Sequence, residues 1–150
     1  MELATLLHPD CTRCAVAVTS KKKALELIGQ LAAPRLSHTS AFDVFESLLH
    51  RERLGSTGIG LGIAIPHGKV ADASKPVAIL ISLANAIEFD AIDNQPVDII
   101  FALLVPEQQH EQHLHTLAAV AQRLHDKQCT RAIRAASSDM ELYQALIACN

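Results

Sequence analysis

Five of the six glycines in this chain fall in one stretch, Gly55 to Gly68, which reads GSTGIGLGIAIPHG. Glycine at such density indicates backbone freedom, a close approach of the main chain to another group, or both. Residues 55–60 read as a flexible loop, and residues 61–65 read as a short apolar strand. The stretch is therefore predicted to place a flexible loop directly before a short strand.

The end of this stretch contains a candidate nucleophile. Pro66 ends the predicted strand because it has no N–H to donate to a sheet ladder, and His67 follows it with Gly68 behind. A loop rich in backbone N–H groups beside an imidazole is suited to holding an anion next to a nucleophile. The alternative is a turn histidine without chemistry, and residue types alone leave both interpretations open.

The run GSTGIGLGIAIPHGK resembles the active-site signature of the phosphotransferase-system EIIA domains of the fructose/mannitol class, and more narrowly their nitrogen-regulatory branch (EIIA-Ntr). The segments at residues 89–98, 101–106 and 113–117 match in the same order. The resemblance spans nearly the whole chain, so residues 1–150 are predicted to be one EIIA type-2 domain. The family usually carries Asn at the position of Leu61.

The resemblance implies an α/β fold, a single domain in which a mixed β-sheet is flanked by helices on both sides. The pattern of the chain agrees with that class. Near-continuous apolar runs at Val77–Leu83 and Ile99–Val105 are typical of central strands covered on both faces, and Ala15–Thr19 is a weaker strand candidate. Helices are predicted over Lys21–Ala33 after Ser20, from Ser40 to a stop at Gly55, over His110–Lys127, over Cys129–Ala136, and from Ser138 to Ala148.

The resemblance also implies the site. His67 is the phosphoryl acceptor, Arg51 clamps phosphate oxygens from the last turn of its helix, and His113 is the second histidine beside the acceptor. Imidazole suits the acceptor role because one ring nitrogen keeps its lone pair at neutral pH. The predicted phosphate-binding residues are Ser56, Thr57, Gly58, Gly60 and Gly62.

The implied function is that of a phosphotransferase component. His67 would accept phosphate from a phosphohistidine carrier of the HPr/NPr type, and the phosphorylation state would select regulatory targets such as potassium-transport or sensor proteins. No cofactor is expected. One alternative is a sugar-transport EIIA that passes phosphate to a permease EIIB domain. Another is an inert EIIA-like interaction module, which the loss of the usual Asn at Leu61 favours.

A metal-dependent hydrolase with His67 and His113 as ligands is a further alternative, although a third ligand is not obvious. The acidic loop at residues 88–97 fits no EF-hand spacing. No metal site is therefore predicted.

Charge and hydropathy exclude several other classes of protein. A formal net charge of −3 lacks the basic footprint of a nucleic-acid-binding protein. No apolar run approaches the ~18–20 residues that span a bilayer, and residues 1–9 do not resemble a secretory signal, so a cytoplasmic protein without membrane insertion is expected. The four cysteines are then expected to be reduced thiols, and Lys21, Lys22 and Lys23 are expected to form a solvated basic patch.

Overall fold

The computed structural model describes residues 3–71, 75–109 and 111–149. Six helices are assigned within these ranges: α1 Leu3–Leu6, α2 Lys21–Ala32, α3 Ala41–Arg53, α4 Leu114–Leu124, α5 Lys127–Ala135 and α6 Asp139–Ile147. The strands are β1 Leu7–Val16, β2 Gly58–Gly60, β3 Ile63–Ala64, β4 His67–Val70, β5 Val77–Ile87 and β6 Val97–Pro106. Short 3-10 turns occupy Ala33–Arg35, Glu107–Gln109 and Glu111–His113.

The six strands form one mixed sheet in the order β1-β5-β6-β3-β2, with β4 also paired to β6. Strands β5 and β6 are antiparallel, whereas β1 is parallel to β5 and both β3 and β4 are parallel to β6. Successive residues of β5 and β6 are buried over most of their length. Because neighbouring strand residues face opposite sides, burial of both sets means that helices cover both faces, as predicted.

The core is aliphatic, with Phe89 and Phe101 as its large buried aromatic side chains. Three helix starts are confirmed in atomic detail, because Ser20, Ser40 and Ser138 each accept a hydrogen bond from a backbone N–H three residues later. In the part of the chain that the structure describes, no helix is both long and apolar enough to cross a membrane.

Some strand boundaries differ from the sequence prediction. Strand β1 covers Leu7–Val16 rather than starting at Ala15, and residues 58–60, predicted as loop, form the edge strand β2. Pro66 interrupts a strand rather than ending it. Its carbonyl still accepts a hydrogen bond from Leu103 N at 2.9 Å, so β4 resumes along β6 at His67. Proline lacks the backbone N–H donor of other strand residues but keeps the carbonyl acceptor.

The long predicted helix over His110–Lys127 is shorter in the structure. Its predicted start at His110 lies outside the described residues, and the regular helix α4 begins at Leu114. The chain then turns, and Asp126 accepts a hydrogen bond from Gln128 N at 2.8 Å as the N-cap of α5. An N-cap is a strong helix start, so α5 begins at Lys127, two residues before its predicted start at Cys129.

The expectation of four reduced cysteines is wrong for one pair. Helices α5 and α6 pack so that the Cα atoms of Cys129 and Cys149 lie 5.6 Å apart, and the two residues form a disulfide. That separation is in the range a disulfide bridges. Cys11 and Cys14 are free thiols, and burial raises the pKa of the Cys11 thiol above its ordinary value.

Candidate functional site

His67 begins strand β4 at the point where helix α3 crosses the sheet. Ser47 Oγ on α3 donates a hydrogen bond to Lys69 O at 2.8 Å, which ties the helix to the strand. A Cβ at Gly68 would meet Ser47 Oγ at 2.4 Å. Glycine at position 68 therefore lets α3 approach closely enough for its last turn to reach the imidazole.

Both ring nitrogens of His67 have defined partners. His67 Nδ1 lies 3.0 Å from Ile65 O, a carbonyl that can only accept, so the ring proton lies on Nδ1. Arg51 Nε donates to His67 Nε2 at 3.3 Å, and Arg51 Nη1 donates to Gly55 O at 2.7 Å. The lone pair is thus on Nε2, the nitrogen that faces the guanidinium. The structure brings the two predicted residues Arg51 and His67 together.

His67 and Arg51 line a cavity of about 540 Å³. Its wall includes two leucines from different elements, Leu54 after α3 and Leu114 at the start of α4. Leu54 is 74% exposed and Leu114 is 47% exposed. The imidazole is therefore reached through an opening with an apolar rim.

His113 directly precedes the cavity residue Leu114. Its side chain is partly buried, and its Nε2 lies 3.3 Å from Gln109 Oε1. It is the N-cap residue of α4 rather than a residue within a longer helix. The structure places it one residue from the cavity wall, with its ring bonded to Gln109.

The two hydroxyls predicted to bind phosphate point into the protein. Ser56 Oγ donates to Phe89 O at 2.8 Å and accepts from Gly58 N at 3.0 Å. Thr57 is buried, and its hydroxyl is bonded to the carboxylate of Glu52, which also accepts from Thr57 N at 3.1 Å. Each hydroxyl has one proton, so neither can donate to a phosphate while these bonds persist.

The predicted phosphate-binding glycines form a hairpin instead of a loop around His67. Gly58 pairs with Ala64, and Gly60 pairs with Ile63 across the turn. Gly62 O accepts hydrogen bonds from Asp98 N and Ile99 N. Since Ile63 precedes His67 by four residues, Gly60 lies on the order of 13 Å along the sheet from His67. The structure does not bring Gly60 or Gly62 to the imidazole.

The family model for the phosphoenolpyruvate-dependent sugar phosphotransferase system, EIIA 2, matches residues 5–149. The chain belongs to this EIIA family. It is 54% identical over 147 residues to a nitrogen regulatory protein of Escherichia coli K12, covering 97% of this chain and 90% of that protein. It is also 36% identical over 126 residues to a PTS system fructose-specific EIIA component of Haloferax volcanii, covering 83% and 75%.

The EIIA fold is also matched by a solved structure. The crystal structure of nitrogen regulatory protein IIA-Ntr from Neisseria meningitidis aligns with a TM-score of 0.87 at 36% identity, covering 96% of this chain and 98% of that one. The family implies phosphotransfer through a histidine. The contact between Arg51 on α3 and His67 on β4 thus lies within an EIIA domain.

Two residues linked to this candidate site were not found from the sequence. Glu52 has a side chain only 3% exposed, and Lys21 Nζ lies 2.8 Å from its carboxylate. Lys21 Nζ also lies 4.6 Å from the centre of the Phe89 ring. The expected solvated basic patch at the start of α2 is therefore wrong for Lys21. The position of Glu52 directly after Arg51, the residue predicted to clamp phosphate, was the available signal for Glu52. Nothing in the neighbouring sequence pairs it with Lys21.

Glu52 is connected to His67 through the backbone. Its carboxylate holds Thr57 in place, Thr57 O accepts from Ile65 N at 3.0 Å, and Ile65 O binds His67 Nδ1. Arg51, the neighbour of Glu52 on α3, holds the opposite ring nitrogen. Consecutive residues in one helical turn therefore orient both sides of the imidazole.

A metal centre would need several converging ligands. Across residues 3–71, 75–109 and 111–149, no group of three or more His, Cys, Asp or Glu side chains is placed to hold a metal ion.

Proposed function

We propose that this protein is a nitrogen-regulatory EIIA that accepts a phosphoryl group on His67 from a phosphohistidine carrier of the HPr/NPr type. The proposal rests above all on the two contacts of the His67 ring. Nδ1–H is held by Ile65 O, and Nε2 carries its lone pair at the cavity wall beside Arg51. An imidazole fixed in this tautomer is ready to act as a nucleophile without a separate base.

The proposed transfer is a direct displacement. The Nε2 lone pair attacks phosphorus, a P–N bond forms at His67, and the P–N bond to the carrier imidazole breaks. The carrier nitrogen keeps the electron pair of the broken bond. The His67 proton stays on Nδ1, bonded to Ile65 O, so the step requires no proton transfer on this protein.

Arg51 is proposed to stabilise the charge on the transferring group. Its guanidinium already faces Nε2, and it would exchange that contact for phosphate oxygens when the phosphoryl group arrives. His113 is proposed to assist from the start of α4. The assignment of phosphate contacts to Ser56, Thr57, Gly58, Gly60 and Gly62 also stays a proposal, and it requires these groups to leave their present partners.

The carrier is proposed to dock on the rim of the His67 cavity. Phosphocarrier proteins are the partners with which PTS EIIA proteins act, and exposed Leu54 and Leu114 offer a carrier an apolar contact beside the acceptor. The targets selected by phosphorylation are proposed to be potassium-transport or sensor proteins, in the cytoplasm. Similarity to the nitrogen regulatory proteins over 97% of the chain supports this branch. Similarity to a fructose-specific EIIA component keeps transfer to a permease EIIB domain as the second candidate.

Incubation with phosphoenolpyruvate, enzyme I and an HPr or NPr carrier tests the proposal. We expect a mass gain of one phosphoryl group by intact mass spectrometry, labile in acid and absent in His67→Ala. Failure of both carriers to phosphorylate the folded protein would favour the inert interaction module. Addition of a permease EIIB domain then separates the two EIIA branches, because only a transport EIIA passes its phosphate on. The hydrolase alternative predicts an activity that a chelator abolishes.

A further inference from the structure

A second cavity lies beside the hairpin turn, away from His67. It has a volume of about 440 Å³ and lies between Leu61 in the turn and helix α5. Its lining includes the exposed Leu61 and the buried Leu124, and its cations are Lys127, Arg131 and Arg134. We name these five residues the α5 groove.

Leu61 is held in an unfavourable state at the edge of this groove. Its φ is +60°, a left-handed conformation that Gly and Asn adopt far more readily than leucine. Its side chain is nevertheless 53% exposed. Two contacts enforce the geometry, because Leu61 N donates to Asp93 Oδ2 at 3.0 Å and Leu61 O accepts from Arg134 Nη2 at 2.8 Å. The fold thus presents an apolar side chain to solvent at a strained position.

Two of the three cations of the α5 groove have no carboxylate partner among the described residues. Arg134 is paired with Asp98, but Lys127 and Arg131 are exposed and form no ion pair with a carboxylate in the described part of the chain. They stand one helical turn apart on α5, so they face the same side. Lys127 also begins the helix, where the dipole disfavours a cation. This surface is positive on a chain whose formal net charge is −3.

We propose that the α5 groove docks an acidic segment of a partner protein. One apolar side chain of that segment packs on the exposed Leu61, and its carboxylates bind Lys127 and Arg131. Charge complementarity selects this occupant, because a basic or neutral segment would leave the two cations unpaired. The groove is remote from His67, so this docking is independent of the proposed phosphotransfer and can succeed or fail separately.

The experiment uses a fluorescein-labelled synthetic peptide in which leucine recurs every third or fourth position among glutamates. Binding to the whole protein is followed by fluorescence anisotropy, and the bound surface is mapped by amide chemical shifts. We expect shifts at Leu61 and along α5 and none at His67. Lys127→Glu with Arg131→Glu should weaken binding at least about tenfold, and Leu61→Asn about fivefold. Raised salt should weaken binding further.

A matched control carries the same change in net charge elsewhere. Lys22→Glu with Lys23→Glu, on the exposed start of α2, should bind the peptide within about twofold of the unaltered protein. Equal losses in both double variants would show general charge attraction and overturn the proposal. So would no binding by the unaltered protein, or shifts centred on the His67 cavity. Circular dichroism and a cooperative urea transition establish that each variant is folded.

Discussion

The hairpin turn at Gly60–Gly62 and the strand end at His67 belong to one glycine-rich stretch, yet different parts of the protein hold them. The His67 end is fixed by Arg51 and Glu52 of helix α3. The turn is fixed by Asp93 and by Arg134 of helix α5. Glycine at 68 admits a helix, whereas glycine at 60 and 62 supplies positive φ angles of 96° and 80°. The glycines of one short stretch therefore serve two different structural purposes, a close helix contact at one end and a tight turn at the other.

The sharpest test of the His67 end is Arg51→Ala. Loss of a preorganised cation facing the transferring group is expected to slow phosphorylation by about 10²–10³-fold, measured by rapid quench with phosphorylated carrier. Arg53→Ala is the matched control, since Arg53 is an exposed arginine two residues on in the same helix. A similar loss in both variants would contradict a specific role for Arg51.

The substitution Glu52→Gln tests whether α3 organises the loop through its buried carboxylate. Loss of the charged hydrogen bonds to Thr57 and of the ion pair with Lys21 is expected to lower the free energy of unfolding by about 2–3 kcal/mol. Urea denaturation followed by circular dichroism measures this change. Glu46→Gln on the exposed face of the same helix should change stability by less than about 0.5 kcal/mol. An unchanged urea midpoint in Glu52→Gln would show that this carboxylate does not stabilise the fold.

Alanine substitutions at Gly68 and at Gly60 test the two ends of the glycine-rich stretch one at a time. Gly68→Ala drives a methyl group into Ser47 Oγ, so we expect a loss of about 1–3 kcal/mol together with slower phosphorylation as α3 shifts. Adding Ser47→Gly should restore part of the stability and part of the phosphorylation rate.

Gly60→Ala forces an alanine into a left-handed backbone conformation at a cost of about 1–2 kcal/mol, and from its position we expect unchanged phosphorylation. A slowed transfer in folded Gly60→Ala would instead support the phosphate-binding role inferred from the sequence.

The turn itself is tested by Leu61→Asn. Asparagine tolerates the left-handed conformation, so this change is expected to raise the free energy of unfolding by about 1 kcal/mol, seen as a higher thermal midpoint. Leu54→Asn is the control, because Leu54 is also exposed but has a φ of −80°. Equal gains in the two variants would mean that polarity rather than backbone strain is responsible.

The smallest expected effect is a pH dependence at the turn. Hydrogen bonds from the backbone N–H groups of Leu61 and then Gln95 lower the pKa of Asp93. A carboxyl group whose folded pKa lies below its unfolded value of about 3.9 stabilises the fold above that pH. The contribution is lost as the pH falls through the folded pKa. Stability of Asp93→Asn should therefore fall less than that of the unaltered protein below about pH 4, whereas Glu46→Gln should follow the unaltered protein.

Sequence by itself determined the features that depend on neighbouring residues. Ser20, Ser40 and Ser138 mark helix starts because a cap acts on N–H groups three residues away. The apolar runs at Val77–Leu83 and Ile99–Val105 identify central strands because burial on both faces needs no alternation. The resemblance to EIIA domains predicted that Arg51 and His67 share one site, and the structure joins them by a hydrogen bond.

Only the tertiary structure decided the contacts between distant segments. Residues 58–60 are a strand because β3 lies beside them, although their glycines carry no strand signal. Lys21 pairs with Glu52 across two helices, and Cys129 meets Cys149 only because α5 and α6 pack together. Such pairings depend on where the whole chain brings each group, and sequence patterns that act over a few neighbouring residues do not contain that information.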